Sequence, residues 1–207
     1  MDRQLRDLSL HDLLEAYSAP AVAPAGASAA ALTGALGASL VVKVARITHR
    51  RLAPGPDRDH ALAVADKVGR FRQMLEDIVD QDVEAYARVV RLKAKPNRHS
   101  NQQDIERALK TATLVPGAMG RAAVICVNSA AELVEIAHLP ALSDLGMGAR
   151  LCLTAAEISL MTVQHNLSQI ADESFRQKIL GRLDFFDNRS ATLDTILAAI
   201  GRRTGVP

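Results

Sequence analysis

The chain has 207 residues, of which 48% are apolar, and 25 basic against 23 acidic side chains leave a formal net charge of +2. We expect this length to form a single domain, residues 1–207, with a sizeable core. So small a net charge argues against a general nucleic-acid-binding protein. Aromatic residues make up only 3%, so the apolar content is mostly Ala, Leu, Val and Ile, which suits closely packed helices.

The N-terminal residues 1–14 carry charges throughout, so no secretory signal is expected. The most apolar run, residues 29–42, is predicted to be too short to span a bilayer. Cys126 and Cys152 form no CxxC motif and lie in apolar helical patterns, so we interpret both as reduced core residues. These features predict a soluble, cytoplasmic protein that does not use a membrane.

Helical periodicity recurs along the chain, and no stretch alternates with period two between turn residues. We therefore predict an all-α bundle of about five to six long helices. The first helix is predicted over residues 10–18, with Ser9 as its N-cap. Its predicted inward-facing residues are Leu10, Leu13, Leu14 and Tyr17. The other helices are predicted at residues 28–51, 57–94, 100–137, 143–170 and 172–202.

Helix caps and breaks follow from local signals. Ser28 and Ser143 are predicted N-caps, and Ser100 with Gln103 resembles a capping box. Pro116 is predicted to kink the fourth helix. The second helix contains two internal glycines, which cost roughly 1 kcal/mol each relative to Ala, so we expect a packing or ligand reason for them.

Asp82 falls in the middle of the apolar stripe of the third helix, between Val79 and Tyr86. A buried carboxylate is costly unless it is partnered or its pKa rises. It is either an acid that works in a cleft or a structural residue that caps a helix or pairs with an arginine. The position of Asp82 on the helix face does not distinguish between these two interpretations.

Two further polar residues are candidates. Asp144 follows Ser143 at a helix start, where an acid also simply complements the helix dipole. Asn166 shares a helix face with apolar residues, so it is either a core polar contact or a ligand contact. The six histidines show no metal-binding spacing. Two basic runs, residues 43–51 and 91–99, could each hold an anionic ligand.

Several segments together resemble the cyclodeaminase/cyclohydrolase family of one-carbon folate enzymes, in an order that agrees over residues 8–170. Residues 24–31 resemble the family's Pro-Gly-Gly-Gly-Ser loop, although Ala25 and Ala27 replace two glycines. The other matching segments are Asp82 to Tyr86, residues 108–116 ending in Val-Pro, Ser143-Asp144 and Asn166. A Gly-Asn pair usual before Ser-Asp is absent.

The resemblance implies a helical homodimer that hydrolyses methenyltetrahydrofolate or closes the ring of formimidoyltetrahydrofolate with loss of ammonia. The surplus of small and apolar residues in the second and fourth helices also favours a homodimer. Proton transfer would use buried carboxylates, without a metal or redox cofactor, and the tetrahydrofolate derivative would be the substrate. The implied catalytic residues are Asp82 and Asp144. The implied substrate-binding residues are Pro24, Gly26, Ser28, Lys110 and Asn166.

The altered loop leaves an alternative open. The chain could be a non-catalytic helical relative that binds a folate-like ligand or a protein partner. A helical nucleic-acid-binding protein is poorly supported by the charge and by the few aromatic residues.

Overall fold

The computed structural model describes residues 4–95 and 101–205, which contain α-helices and short 3₁₀ turns and no strand. The predicted all-α fold is confirmed. The helices are α1 (Leu10–Ser18), α2 (Gly26–Arg51), α3 (Pro56–Lys93), α4 (Gln102–Leu133), α5 (Leu142–Leu167), α6 (Glu173–Leu180) and α7 (Arg189–Thr204).

Four long helices, α2 to α5, form the bundle. Each packs against the next in sequence, and α2 and α5 close the ring, while α7 covers one side of α4 and α5. Their apolar faces meet in a core of buried Ala, Val, Leu and Ile. The 38-residue α3 is continuous through Gly69.

The glycines of α2 have the packing role that their cost predicts. A Cβ at Gly37 would lie 2.7 Å from the Gly148 carbonyl oxygen, and one at Gly148 would lie 2.8 Å from the Gly37 oxygen. A Cβ at Gly34 would lie 3.0 Å from that of Ala155. These small residues therefore serve the contact of α2 with α5 within one chain, and they do not by themselves indicate a dimer.

Only some of the predicted caps are present. Ser9 accepts a hydrogen bond from the Asp12 backbone N–H, as predicted. The N-cap of α2 is Ala25 and that of α5 is Ala141, so the predictions for Ser28 and Ser143 are wrong. Both serines lie inside the first turn because preceding residues already adopt helical geometry. Ser100 lies outside the described residues, so the predicted capping box is not described.

The predicted last helix is divided. Asp172 caps α6 by accepting from the Phe175 N–H, but the helix ends at Leu180, with Gly181 as its C-cap. A 3₁₀ turn follows, and Asn188, with φ of 62°, precedes α7. This left-handed residue interrupts the helix, so the single helix predicted over residues 172–202 is wrong.

The inward face predicted for α1 is half right, since Leu13 and the Tyr17 hydroxyl are buried. Leu13 is buried, whereas Leu10 and Leu14 are 72% and 59% exposed. The short helix lies on the surface of the bundle, so Leu13 and Tyr17, four residues apart on one face, turn inward while the other face stays exposed. The N-terminal segment is held instead by Asp80, which accepts from the Leu5 N–H at 2.7 Å.

Two helices, α2 and α4, are long and apolar enough to cross a bilayer by length and composition alone. The apolar stretch of α2 is therefore longer than the sequence prediction assumed. However, 61% and 56% of their most apolar windows are buried inside the bundle. Core helices of a soluble bundle meet the same criteria, so this observation is weak support for a membrane span.

Candidate active site

A cavity of about 310 Å³ opens at one end of the bundle. The start of α2 covers it, α3 and α5 form its walls, and Ala112 of α4 lies at its floor. Its lining residues are Ala25, Gly26, Ala27, Asp82, Tyr86, Ala112, Ile158, Met161, Thr162, His165 and Asn166. Most of this surface is apolar, with a few polar groups converging on it, which is typical of small-molecule sites.

Asp82 is the buried acid of the cavity. It is only 7% exposed, as its position in the apolar stripe of α3 predicts. Burial raises the pKa of its carboxyl group from 3.8 to about 6, and the backbone N–H of Ser28 opposes that rise. Because the pKa lies near neutral pH, both the carboxylic acid and the carboxylate are accessible there.

The start of α2 brings its backbone to Asp82. Ser28 is fully buried, and its hydroxyl donates to the Ala25 carbonyl at 2.8 Å. Burial also raises the pKa of Tyr17, whose hydroxyl lies next to Ser28 and Asp82. The side chain of Ser28 therefore stabilises the first turn of α2, while its N–H faces the acid.

The two alanines that replace family glycines fit the backbone observed here. Ala25 has φ of −129°, and Ala27 lies in the first turn of α2. Among the described residues, positive φ occurs only at Gly55, Asn188 and Gly205. The loop therefore needs no left-handed residue, and the alanines add methyl groups to the cavity wall without backbone strain.

Asn166 is tied to the proline of α4. Pro116 lacks an N–H, so the Ala112 carbonyl four residues earlier has no helical donor. Asn166 Nδ2 donates to that carbonyl oxygen at 2.7 Å. The side chain of Asn166, 8% exposed, thus satisfies a buried group at the cavity floor, and it joins α5 to α4 next to Asp82.

Asp144 lies far from the cavity within the chain. It is at the start of α5, whereas Asn166 is at the end, about 33 Å away at 1.5 Å per residue. Its carboxylate pairs with Lys43 Nζ at 2.6 Å. The structure therefore does not bring the two predicted aspartates together in one copy of the chain.

Of the predicted substrate-binding residues, Gly26 and Asn166 line the cavity. Pro24 lies just outside its lining, at the connector before α2. The Lys110 ammonium is paired with Asp172 at 2.5 Å and lies 5.3 Å from the Phe175 ring centre. Lys110 thus anchors α6, and it is not among the residues that line the cavity.

The two basic runs lie at different distances from the cavity. Lys43 and Arg46 are near the far end of α2, at least 25 Å from Gly26 by helical rise. Lys93 shares the α3 face of Asp82 and Tyr86, and its Nζ donates to Gln169 Oε1 at 2.6 Å. Residues 96–99 of the second run lie outside the described ranges.

Sequence reasoning missed His165 and Thr162 as cavity residues. Both lie on the face of α5 that begins at Ile158, because positions three and four residues apart share a helix face. That spacing was readable in the sequence, but only the packing of α5 beside α3 shows which face borders Asp82. In the described part of the chain, no three His, Cys, Asp or Glu side chains converge as a metal site.

The fold and the cavity define a helical-bundle protein with a buried acid, Asp82, in a largely apolar cavity. The sequence profile of the formiminotransferase-cyclodeaminase family matches residues 9–184. The chain belongs to this family.

Individual relatives agree with that assignment. A methenyltetrahydrofolate cyclohydrolase from Methylorubrum extorquens is 26% identical over 181 residues, which cover 85% of this chain and 87% of the relative. The formimidoyltransferase-cyclodeaminase of Rattus norvegicus is 26% identical over 191 residues, and the matched part is 35% of its length. The crystal structure of a Thermotoga maritima formiminotetrahydrofolate cyclodeaminase superposes with a TM-score of 0.81, 22% identity and 97% coverage of both chains.

Proposed function

We propose that this chain is a one-carbon folate enzyme that hydrolyses methenyltetrahydrofolate, with Asp82 as its proton-transfer group. The observation that carries the proposal is a carboxyl group, 7% exposed, whose pKa is raised to about 6 in an apolar cavity. The Methylorubrum relative supports the hydrolytic reaction, because it matches along 87% of its own length.

The reaction adds water to the cationic carbon that bridges two folate nitrogens. The carboxylate of Asp82 stabilises the cation and accepts a proton from the water as the new C–O bond forms. The carboxylic acid then donates that proton to one nitrogen as its C–N bond breaks. The remaining hydroxyl proton leaves to solvent as the formyl C=O forms, so one proton is released per turnover.

The rest of the cavity positions the substrate. The apolar side chains of Ile158 and Met161 and the methyl groups of Ala25 and Ala27 offer a surface for the flat pterin-like ring. The exposed first turn of α2 at Gly26 presents backbone N–H groups. An extended anionic tail would run along α3 toward Lys93, since the other basic run begins at least 25 Å away.

The test is a spectroscopic assay of methenyltetrahydrofolate disappearance with purified protein. We expect turnover by the unmodified chain and its loss in Asp82→Asn. Ammonia release from formimidoyltetrahydrofolate without hydrolysis of the methenyl compound would assign the ring-closing reaction instead. Folate binding without either reaction would identify a non-catalytic relative and overturn the proposal.

A further inference from the structure

Three polar side chains form a hydrogen-bond network that ends at the cavity. Lys93 Nζ, in the last turn of α3, donates to Gln169 Oε1 at 2.6 Å. Gln169 Nε2 lies 3.2 Å from His165 Nε2, and His165 lines the cavity. The Lys93–Gln169–His165 network therefore runs from the end of α3, through the turn that follows α5, to a side chain of the site.

The chemistry of the three groups fixes the direction of each hydrogen bond. A lysine ammonium can only donate, and the oxygen is the only acceptor of a glutamine amide. Gln169 Oε1 therefore accepts from Lys93, and the Gln169 amide nitrogen donates to His165 Nε2. A neutral imidazole that accepts at Nε2 carries its proton on Nδ1. The hydrogen-bond network thus assigns the Nδ1–H tautomer to His165.

A ring held in this tautomer is a hydrogen-bond donor and not a base. Its Nε2 lone pair accepts from Gln169, and its Nδ1 is already protonated. Thr162, one turn earlier in the cavity wall, differs because its hydroxyl donates to the Ile158 carbonyl at 2.9 Å. No group among the described residues accepts from His165 Nδ1. His165 therefore offers an N–H group that this part of the protein does not use.

We propose that His165 binds the substrate by donating its Nδ1–H to a carbonyl oxygen, and that Gln169 is the positioning residue that keeps the proton on Nδ1. The ligand part of this inference rests on the proposed function. A neutral N–H group suits a neutral acceptor, and His165 lies one turn after Met161, whose side chain belongs to the apolar surface for the ring. Asp82 remains the group that transfers protons.

The tautomer is tested without substrate by nitrogen-15 NMR of the histidine rings at mildly alkaline pH, which distinguishes protonated from unprotonated ring nitrogens. The His165 signals are those lost in His165→Asn, and we expect them to show Nδ1–H. Gln169→Glu replaces the donor by a carboxylate that still accepts from Lys93, so His165 Nε2 should gain a proton. Gln164→Glu is the matched control, an equal charge change at an exposed position next to His165, and should leave Nδ1–H unchanged.

Substitutions of His165 test which ring nitrogen meets the substrate. The amide nitrogen of asparagine, like Nδ1, is bonded to the γ-carbon, whereas that of glutamine lies one bond further out, near the position of Nε2. A hydrogen bond made equally to substrate and transition state lowers KM and leaves kcat unchanged. We expect KM to rise about tenfold in His165→Gln and His165→Leu and to stay within about twofold in His165→Asn. Asparagine cannot transfer protons, so its activity would also exclude a basic role for His165.

The positioning role of Gln169 has its own kinetic test. Gln169→Glu leaves the His165 side chain in place but moves its proton, so KM should again rise about tenfold with kcat little changed. Gln164→Glu should retain the unmodified KM. A merely structural role of Gln169 would leave both the tautomer and KM unchanged in Gln169→Glu.

The inference is overturned if His165 of the unmodified chain carries its proton on Nε2, or if His165→Asn is impaired as much as His165→Leu. A fall in kcat at constant KM in every His165 variant would contradict a binding role as well. If the unmodified chain lacks turnover, the proposed function fails, and the Kd of an unreactive reduced folate replaces KM in the same comparison. Absence of folate binding would overturn the ligand part, while the NMR experiment still decides the tautomer.

Discussion

At the scale of single residues, Asp82 combines burial with ionisation near neutral pH. Its carboxyl group lies on α3, a helix without a break, and Asn166 and the start of α2 fix its surroundings. A structural aspartate at this place would be expected to accept several hydrogen bonds that lower its pKa. Here burial dominates and the pKa rises to about 6, which favours a working acid.

Replacing Asp82 by Asn keeps the shape of the side chain and removes its charge and its exchangeable proton. We expect turnover of the folate substrate to fall by roughly two to four orders of magnitude. Thermal unfolding of the same preparation should show little loss of stability or a gain. Glu84→Gln, on the exposed face of the same helix, should change neither property. If Asp82→Asn showed a large loss of stability with normal specific activity, Asp82 would be a structural residue and not a catalytic one.

The raised pKa of Asp82 also predicts a pH dependence of stability. The folded state binds the proton more tightly than the unfolded state, whose carboxyl group has the ordinary pKa of 3.8. Protonation of Asp82 therefore adds to the free energy of unfolding below about pH 4. This contribution is lost as the pH rises to about 6. The stability of the unmodified chain relative to Asp82→Asn should fall by roughly 3 kcal/mol across that range.

Urea denaturation at several pH values measures this difference. Because other groups titrate in both proteins alike, only the difference between the two proteins reports on Asp82. A difference that does not vary between pH 4 and pH 7 would contradict the buried, perturbed carboxyl group.

At the scale of helices, Pro116 and Asn166 act as a pair. Asn166→Leu removes the donor to the Ala112 carbonyl and leaves that buried oxygen unsatisfied, which should cost about 1–3 kcal/mol of stability. Pro116→Ala restores a backbone N–H that can reach the same oxygen. In that background, Asn166→Leu should cost much less.

A double-mutant cycle measured by urea denaturation isolates the coupling between the two positions. Independent, additive effects would show that the hydrogen bond does not compensate for the proline. The prediction concerns stability alone, so it holds whichever reaction the cavity performs.

The contact of α2 with α5 predicts opposite effects for two glycines. Gly37→Ala would place a methyl carbon 2.7 Å from the Gly148 carbonyl oxygen, so the helices must separate, at a cost of about 1–3 kcal/mol. Gly69→Ala, inside α3, meets no atom within 4 Å and should stabilise by about 1 kcal/mol through helix propensity. Thermal unfolding of both variants checks the pair, and equal effects would contradict the close packing.

At the scale of the whole molecule, a ligand that binds only the folded bundle must raise its melting temperature. Saturation at one hundred times the Kd adds about 2.7 kcal/mol. We expect a reduced folate that cannot react to produce such a shift, and Asp82→Asn to retain most of it, since the ring contacts apolar walls. An unchanged melting temperature at millimolar folate would contradict a folate site and the proposed function with it.

The sequence by itself determined the helical class, most helix positions, the Ser9 cap and the burial of Asp82. These follow from the period of 3.6 residues and from short-range hydrogen bonding, which depend on neighbours a few positions away. The family resemblance selected Gly26, Asp82 and Asn166 as candidate site residues, and in the structure these three residues line the same cavity.

Only the tertiary structure decided which helix ends come together. In the folded chain Asp144 pairs with Lys43, far from Asp82, and Lys110 pairs with Asp172. His165 lines the cavity. The tertiary structure also showed that Asn166 completes the hydrogen bonding of a carbonyl that Pro116 leaves free. Periodicity shows which face of a helix is buried, but the partner of that face depends on topology and on contacts between residues far apart in the chain.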